Sequence, residues 1–278
     1  MSDSGREGIV EDLGQTCLIA LDVAEEIIPS QLIRAMKFVA PRSDVRIEVG
    51  VPTDAEASYV IQVDQHVFAC AVFDGRLPEE EYAFALRKSI FWPDAAESMA
   101  SHGAFAIVSA AERQDRHGLI RAQAVALTRL AASLAEILPS SGVLWTGSLI
   151  CSSPQRIAAA PAEIANGKWP VDVWIGYQYT GPEDGDLSVL GLRTRGAASF
   201  LGFEMEVPPF AVDDRKEPVR ILYNAVGYLM NYGDVIRDGQ LVEVEGERRT
   251  QYQVHLGADG EPGLARLTVL DQVHRKQN

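Results

Sequence analysis

Nowhere does the 278-residue chain hold the roughly 18 uninterrupted apolar residues that a membrane-spanning helix needs, so no membrane partner is expected. Cysteine is scarce. Cys17, Cys70 and Cys151 are odd in number and far apart, which argues against a disulfide framework or a cysteine-rich zinc site and favours buried free thiols. Positive charge is in the minority, with 25 Lys and Arg against 39 Asp and Glu and a formal net charge of −14. Binding nucleic acid requires a clustered positive surface, so no nucleic-acid partner is expected. An acidic chain suits a basic partner, or serves solubility alone. Residues 1–13 are polar and lack the apolar stretch of a secretory signal, and the expected location is cytoplasmic.

Catalytic signatures are missing as well. No Gly-x-x-x-x-Gly-Lys-Ser/Thr loop occurs, and Gly191 to Gly196 has glycine spacing without the lysine and hydroxyl that hold phosphate and magnesium. His66, His102, His117, His255 and His274 are scattered without metal-ligand spacing. Gly147-Ser148 follows a strand-like run, but no Gly-x-Ser-x-Gly elbow frames the serine. Nothing next to Cys151 would lower its pKa. No cofactor and no metal are expected, and no catalytic residue is assigned.

What the sequence does contain is regular alternation and helical stripes. Thr16 to Leu21 reads as a buried strand, and a helix follows Pro29 with Ser30 as its cap and Leu32, Ile33, Met36 and Val39 inward. Val45 to Val49 alternates, and Tyr59 to Val63 with Val67 to Phe73 makes a hairpin around Asp64-Gln65. Leu77-Pro78 before three glutamates starts a helix, and Trp92-Pro93-Asp94 starts a short one through Met99. His102, at the end of that short helix, suits a dipole partner. Ala104 to Ser109 is a strand. His117 to Leu138 is the longest amphipathic helix, with Ile120, Ala124, Leu127, Ala131, Leu134 and Leu138 in one stripe. Gly142 to Gly147 and Val171 to Tyr179 read as strands. Glu217-Pro218 opens a last helix with Leu222, Ala225, Val226 and Leu229 inward and a stop at Gly233. Asp238-Gly239 turns into Leu241 to Val244. A hairpin of Tyr252 to Leu256 and Leu264 to Leu270 turns at Asp259-Gly260.

The centre of this pattern is Leu187 to Val207, a hairpin in which Phe203, Met205 and Val207 face a core and Glu204 and Glu206 face away. Arg193 and Arg195 are two apart on the opposite strand. The two pairs suit a cross-strand charge ladder contributing about 0.2–1 kcal/mol per pair, and the arginines are also a candidate anion site. Trp145, Trp169, Trp174, Tyr177 and Tyr179 crowd the segments before the hairpin, either as core or as interface anchors.

The order of short words resembles a known family. Trp92-Pro93-Asp94-Ala95-Ala96, Leu127-Thr128-Arg129-Leu130-Ala131-Ala132, Gly142-Val143-Leu144-Trp145, Val173-Trp174-Ile175, Leu190-Gly191-Leu192, Leu201-Gly202-Phe203-Glu204-Met205-Glu206, Tyr228-Leu229 and Asp238-Gly239 together resemble the bacterial family called domain of unknown function 4261. The resemblance runs from Trp92 to the last strands and is clearest from Gly142 to Gly239. It implies no catalytic residues. The word around Gly-Leu and Glu-x-Glu is also similar to suppressor-of-fused-type domains, several of which resemble immunity proteins to bacterial toxins, an analogy at the level of fold.

The reading is an α+β protein with mixed or antiparallel sheets and helices packed on one face, in an arrangement that allows two related halves. Its expected parts are a polar leader at 1–13, an N-terminal half at 14–151, a C-terminal half at 152–270 and a frayed tail at 271–278. The expected function is a non-enzymatic protein-binding module, an immunity or accessory protein linked to a bacterial toxin or secretion system. It would meet a basic toxin or effector through Glu204, Glu206, Asp184, Asp186 and Trp174. The alternatives are a hydrolase or metal-binding enzyme using carboxylates near the hairpin, and a structural homodimer along Val171 to Tyr179.

Overall fold

A computed structural model of the chain describes residues 15–50, 55, 57–77, 79–87, 89–180, 189–211, 216–232, 237–244, 249–257 and 263–273. The chain divides into two compact units, Met1–Trp174 and Ile175–Asn278, each built on its own sheet, and its class is α+β.

In the first unit, β1 (Thr16–Leu21), β2 (Val45–Val49), β3 (Ala57–Val63), β4 (His66–Asp74), β5 (Ala104–Ala110), β6 (Ser140–Trp145) and β7 (Ile150–Ser152) form one sheet. Their order is β2-β3-β4-β5-β1-β6-β7 and each pairing is antiparallel. The register puts Tyr59, Ile61, Phe68, Cys70, Val72, Ala106, Val108, Cys17 and Ile19 on one face, and all nine are at most 2% exposed. Strand alternation produces this face. Helices α1 (Pro29–Val39), α4 (His117–Ile137) and α5 (Pro154–Ala165) pack together, and α4 lies along the sheet with Leu127, Leu130, Ala131 and Leu134 buried.

The other face of that sheet is treated unevenly. At its β1-β6 end, α2 (Glu79–Arg87) and α3 (Ala95–Met99) cover Ala20 and Leu144 with Tyr82, Ala85 and Met99. The approach is close enough that a Cβ on Gly142 would come within 2.8 Å of the Met99 sulfur, so any larger residue there would have to displace the Met99 side chain. At the β2-β4 end, Val60 and Val67 remain 44% and 39% exposed. Helices therefore occupy most of one face, leaving Val49 of β2 66% exposed at its edge, and a corner of the second.

Two local expectations differ from the structure. Helix α1 begins at Pro29 with Ile28 at the cap position and no side-chain cap, so Ser30 sits inside the first turn; proline's fixed φ starts the helix without it. Val171 to Tyr179 is not one strand but α6 (Val171–Trp174) followed by β8 (Gly176–Thr180). The β-prone residues are overruled by tertiary contacts. Pro170 O accepts from Val173 N and Trp174 N, and Arg156 draws Asp172 into a fork shared with Glu163. The same fork explains the unit boundary, which falls after Trp174 rather than near Ser152. Ser153 caps α5 by accepting from Arg156 N, and Arg156 ties α5 to α6, so 152–174 belongs to the first unit.

The second unit holds a six-stranded sheet ordered β11-β12-β13-β10-β9-β8. Its further strands are β9 (Val189–Arg195), β10 (Glu204–Ala211), β11 (Leu241–Val244), β12 (Arg249–Leu256) and β13 (Leu264–Val273). The sheet is mixed because β10 runs parallel to β13 while its other neighbour, β9, is antiparallel. The expected hairpin is thus present, with α7 (Ala197–Leu201) between its strands and Met205 and Val207 buried. Helix α8 (Lys216–Tyr232) buries Leu222, Ala225, Val226 and Leu229 and packs on β9, β10 and β11. Strand β13 stays paired with β12 out to Val273, opposite Arg249, so the ladder runs past Asp271, where fraying was expected. The expected turn at Asp259-Gly260 and the stop at Gly233 lie outside the described residues.

Candidate functional site

Successive registers in the second sheet place one residue of each strand side by side. Gln178 on β8 stands opposite Arg193 on β9, Arg193 opposite Glu206 on β10, Glu206 beside Arg266 on β13, and Arg266 opposite His255 on β12. All five are half-buried. Met205, Val207, Leu192, Ala265 and Leu267, one residue on, are buried on the reverse side. A polar row thus crosses the sheet face turned away from its apolar core.

Within the row, Arg266 donates from Nε and Nη2 to Glu206 Oε1 at 3.0 and 2.9 Å, and the Glu206 side chain is only 13% exposed. Glu206 therefore has its counter-charge inside the sheet. Glu204 is satisfied more completely. Its carboxylate accepts from Thr194 Oγ1 at 2.6 Å and from the backbone N–H groups of Gly196, Ala197 and Ala198 at 2.7, 3.2 and 3.2 Å. Gly196 makes this cradle possible: at φ +90° it turns successive N–H groups toward one acceptor, a conformation glycine adopts readily. The glutamate closes the connection between β9 and β10 as a side-chain cap.

The sequence-predicted residues therefore separate. Glu204 and Glu206 lie on the predicted strand, but both oxygens of Glu204 and Oε1 of Glu206 are engaged within the chain rather than presented as an acidic surface. Arg193 sits in the row opposite Glu206, the ladder position, while Arg195 is exposed. Trp174 is not a surface anchor: it is 0% exposed and donates from Nε1 to Thr128 Oγ1 at 2.7 Å. Its indole belongs to the core because its one polar atom finds a buried acceptor there. Asp184 and Asp186 lie outside the described residues.

Other groups with chemistry are held structurally. Burial pushes all three thiols up, Cys70 and Cys151 to about 12, so each stays protonated near neutrality and is a poor nucleophile. His102 is fully buried; its Nε2 accepts from Leu77 N, its Nδ1–H donates to Met99 O, and Tyr82 meets its ring edge-on. It ties the start of α2 to the end of α3, beyond the dipole role expected of it. Among the described residues no group of three or more His, Cys, Asp or Glu could hold a metal ion, and no helix is long and apolar enough to cross a membrane.

Exposed aromatic area sits where the sequence reading did not look. Tyr228 and Tyr232 on α8 are 53% and 75% exposed and pack ring against ring, centroids 4.9 Å apart. They are i and i+4 on a helix whose buried stripe is Leu222, Ala225, Val226 and Leu229, so the spacing was a readable sign of a surface pair.

Comparison with family models, with curated proteins and with solved structures finds no match. The fold defines a class, an α+β protein of two sheet-based units, and the function must be argued from its surfaces.

Proposed function

We propose that the protein is a non-enzymatic protein-binding module that receives its partner on the outer side of α8. The observation carrying this reading is the solvent-facing Tyr228–Tyr232 pair, whose rings meet at a tilt. Tyrosine offers large, stiff contact area at low entropic cost and is enriched among residues that dominate binding energy. A net charge of −14 favours a basic partner by accelerating encounter and discouraging acidic competitors. An immunity or accessory role beside a bacterial toxin or secretion system fits that chemistry, as does the resemblance of the short sequence words to the domain of unknown function 4261.

The test is isothermal titration of the purified chain with the purified product of the neighbouring gene. The Tyr228→Ala/Tyr232→Ala variant should bind about thirtyfold more weakly, the loss of about 2 kcal/mol typical of a dominant contact. Equal affinity of the two proteins rejects the α8 surface. A doubled mass in solution that the same double substitution abolishes would instead assign the surface to a homodimer.

A further inference from the structure

The first unit contains a cleft that this reading does not use. One side of α4 forms its wall, with Arg121, Val125 and Arg129; the turn between β3 and β4 contributes Asp64 and His66, and Trp169 closes it. The cavity volume is about 360 Å³, within the roughly 300–1,000 Å³ of small-molecule sites.

One donor in this cleft lacks an acceptor among the described residues. Arg129 Nε is buried and has no hydrogen-bond partner among the described residues. A buried donor without a partner is costly, more so when it is charged, so Arg129 Nε is a ready donor for an incoming acceptor. Asp64, the one carboxylate among the described lining residues, does not supply it. Its Oδ1 accepts from Asp44 N at 2.9 Å and its Oδ2 from Ser43 Oγ at 3.0 Å, so both oxygens are committed to the loop before β2. The Arg121 guanidinium lies over the Trp169 ring, 5.2 Å from its centroid, which fixes its position. His66 is 8% exposed, and burial holds its pKa below the ordinary 6.5. A neutral imidazole keeps one N–H to donate.

We propose that this cleft binds a phosphate-class dianion, the phosphomonoester group of a small molecule. Arg129 and Arg121 supply two positive charges and fork-shaped donors that match phosphate oxygens. His66 donates a further hydrogen bond, and Val125 with Trp169 gives the organic part of the ligand an apolar wall. A guanidinium drawn toward the bound oxygens also gives a partner to the Nε that has none among the described residues. In a chain this acidic, a pocket with two arginines, an imidazole and a single committed carboxylate selects anions against the overall field.

The probe is inorganic phosphate, titrated at constant ionic strength against chloride, with acetate as a separate arm and heat and tryptophan fluorescence as readouts. Saturable binding of one phosphate per chain is expected, tighter than acetate, at least tenfold weaker in Arg129→Gln and unchanged in Arg34→Gln, an exposed arginine of α1. Arg129→Lys keeps the packed stem and the charge but loses the fork, and should weaken binding at least threefold. It decides the matter should Arg129→Gln not fold. A response equal to that of chloride, acetate binding as tightly as phosphate, or undiminished affinity in the folded Arg129 variant would each overturn the proposal.

Discussion

Strand β1 in the first unit and strand β10 in the second are each paired on both sides, yet they handle polar groups in opposite ways. Over Thr16–Leu21 there is no charged residue; the hydroxyl of Thr16 meets Ser109 at 2.7 Å, and helices cover both faces. Strand β10 carries Glu204 and Glu206, and neither is left to water alone: one closes a backbone nest and the other pairs with Arg266. The first sheet is held by apolar burial, at about 25 cal/mol for each Å² removed from water. The second adds directional contacts whose strength depends on geometry and on keeping both partners.

The contrast can be broken by substitution. Trp174→Ala, in the apolar unit, should have the largest effect, about 3–5 kcal/mol as for other large-to-small changes in a core, with Thr128 also losing its partner; Trp174→Phe should cost less. Urea denaturation followed by circular dichroism measures both, and a loss below 1 kcal/mol would mean that the indole is not part of the core. Glu204→Ala should follow at roughly 1–3 kcal/mol, because three backbone N–H groups and a hydroxyl lose their acceptor together. All four tryptophans, Trp92, Trp145, Trp169 and Trp174, lie in the first unit. Glu204→Ala should therefore move the circular-dichroism midpoint more than the tryptophan-fluorescence midpoint, and equal movement would erase the distinction drawn between the units.

Smaller still is the Glu206–Arg266 pair. A double-mutant cycle with Glu206→Gln and Arg266→Gln should return a coupling of about 1 kcal/mol, reduced by added salt because both side chains are partly exposed. A coupling of zero would make the row a surface coincidence. The smallest effect is a pH dependence in the first unit. Burial favours neutral His66 and lowers its pKa in the folded state. Its contribution to stability is then full above the unfolded value of 6.5 and lost as pH falls through the lower folded value. His66→Gln should lose less stability than the wild type on acidification below pH 6.5; an identical loss would remove His66 from this account.

Much of this architecture was legible beforehand, for physical reasons. The alternation of Met205 and Val207 and the stripe of Leu222, Ala225, Val226 and Leu229 report burial directly, since each period matches its element, whereas Phe203, expected in the same row, precedes β10 and is only half-buried. What resisted reading depended on contacts made across the chain. Trp174 looked like an interface residue because nothing local reveals Thr128, forty-six positions earlier. The role of Glu204 required knowing that Gly196 would take a positive φ. The cleft required the β3–β4 turn, α4 and Trp169 to meet, which follows only from topology. Tyr228 and Tyr232, by contrast, stand at i and i+4 off the buried stripe, a spacing that the sequence itself carries.

The placement of β13 also bears on how the molecule is made. This last strand is inserted between β12 and β10, so during synthesis β10 waits with one unpaired edge while some fifty residues emerge from the ribosome at about 5–20 residues per second. An open edge of that kind is where non-native strand pairing begins. In the first unit β1 ends at Leu21 while its partners β5 and β6 begin only at Ala104 and Ser140, so both of its edges wait longer still, and each unit holds a strand open to misassembly in the growing chain.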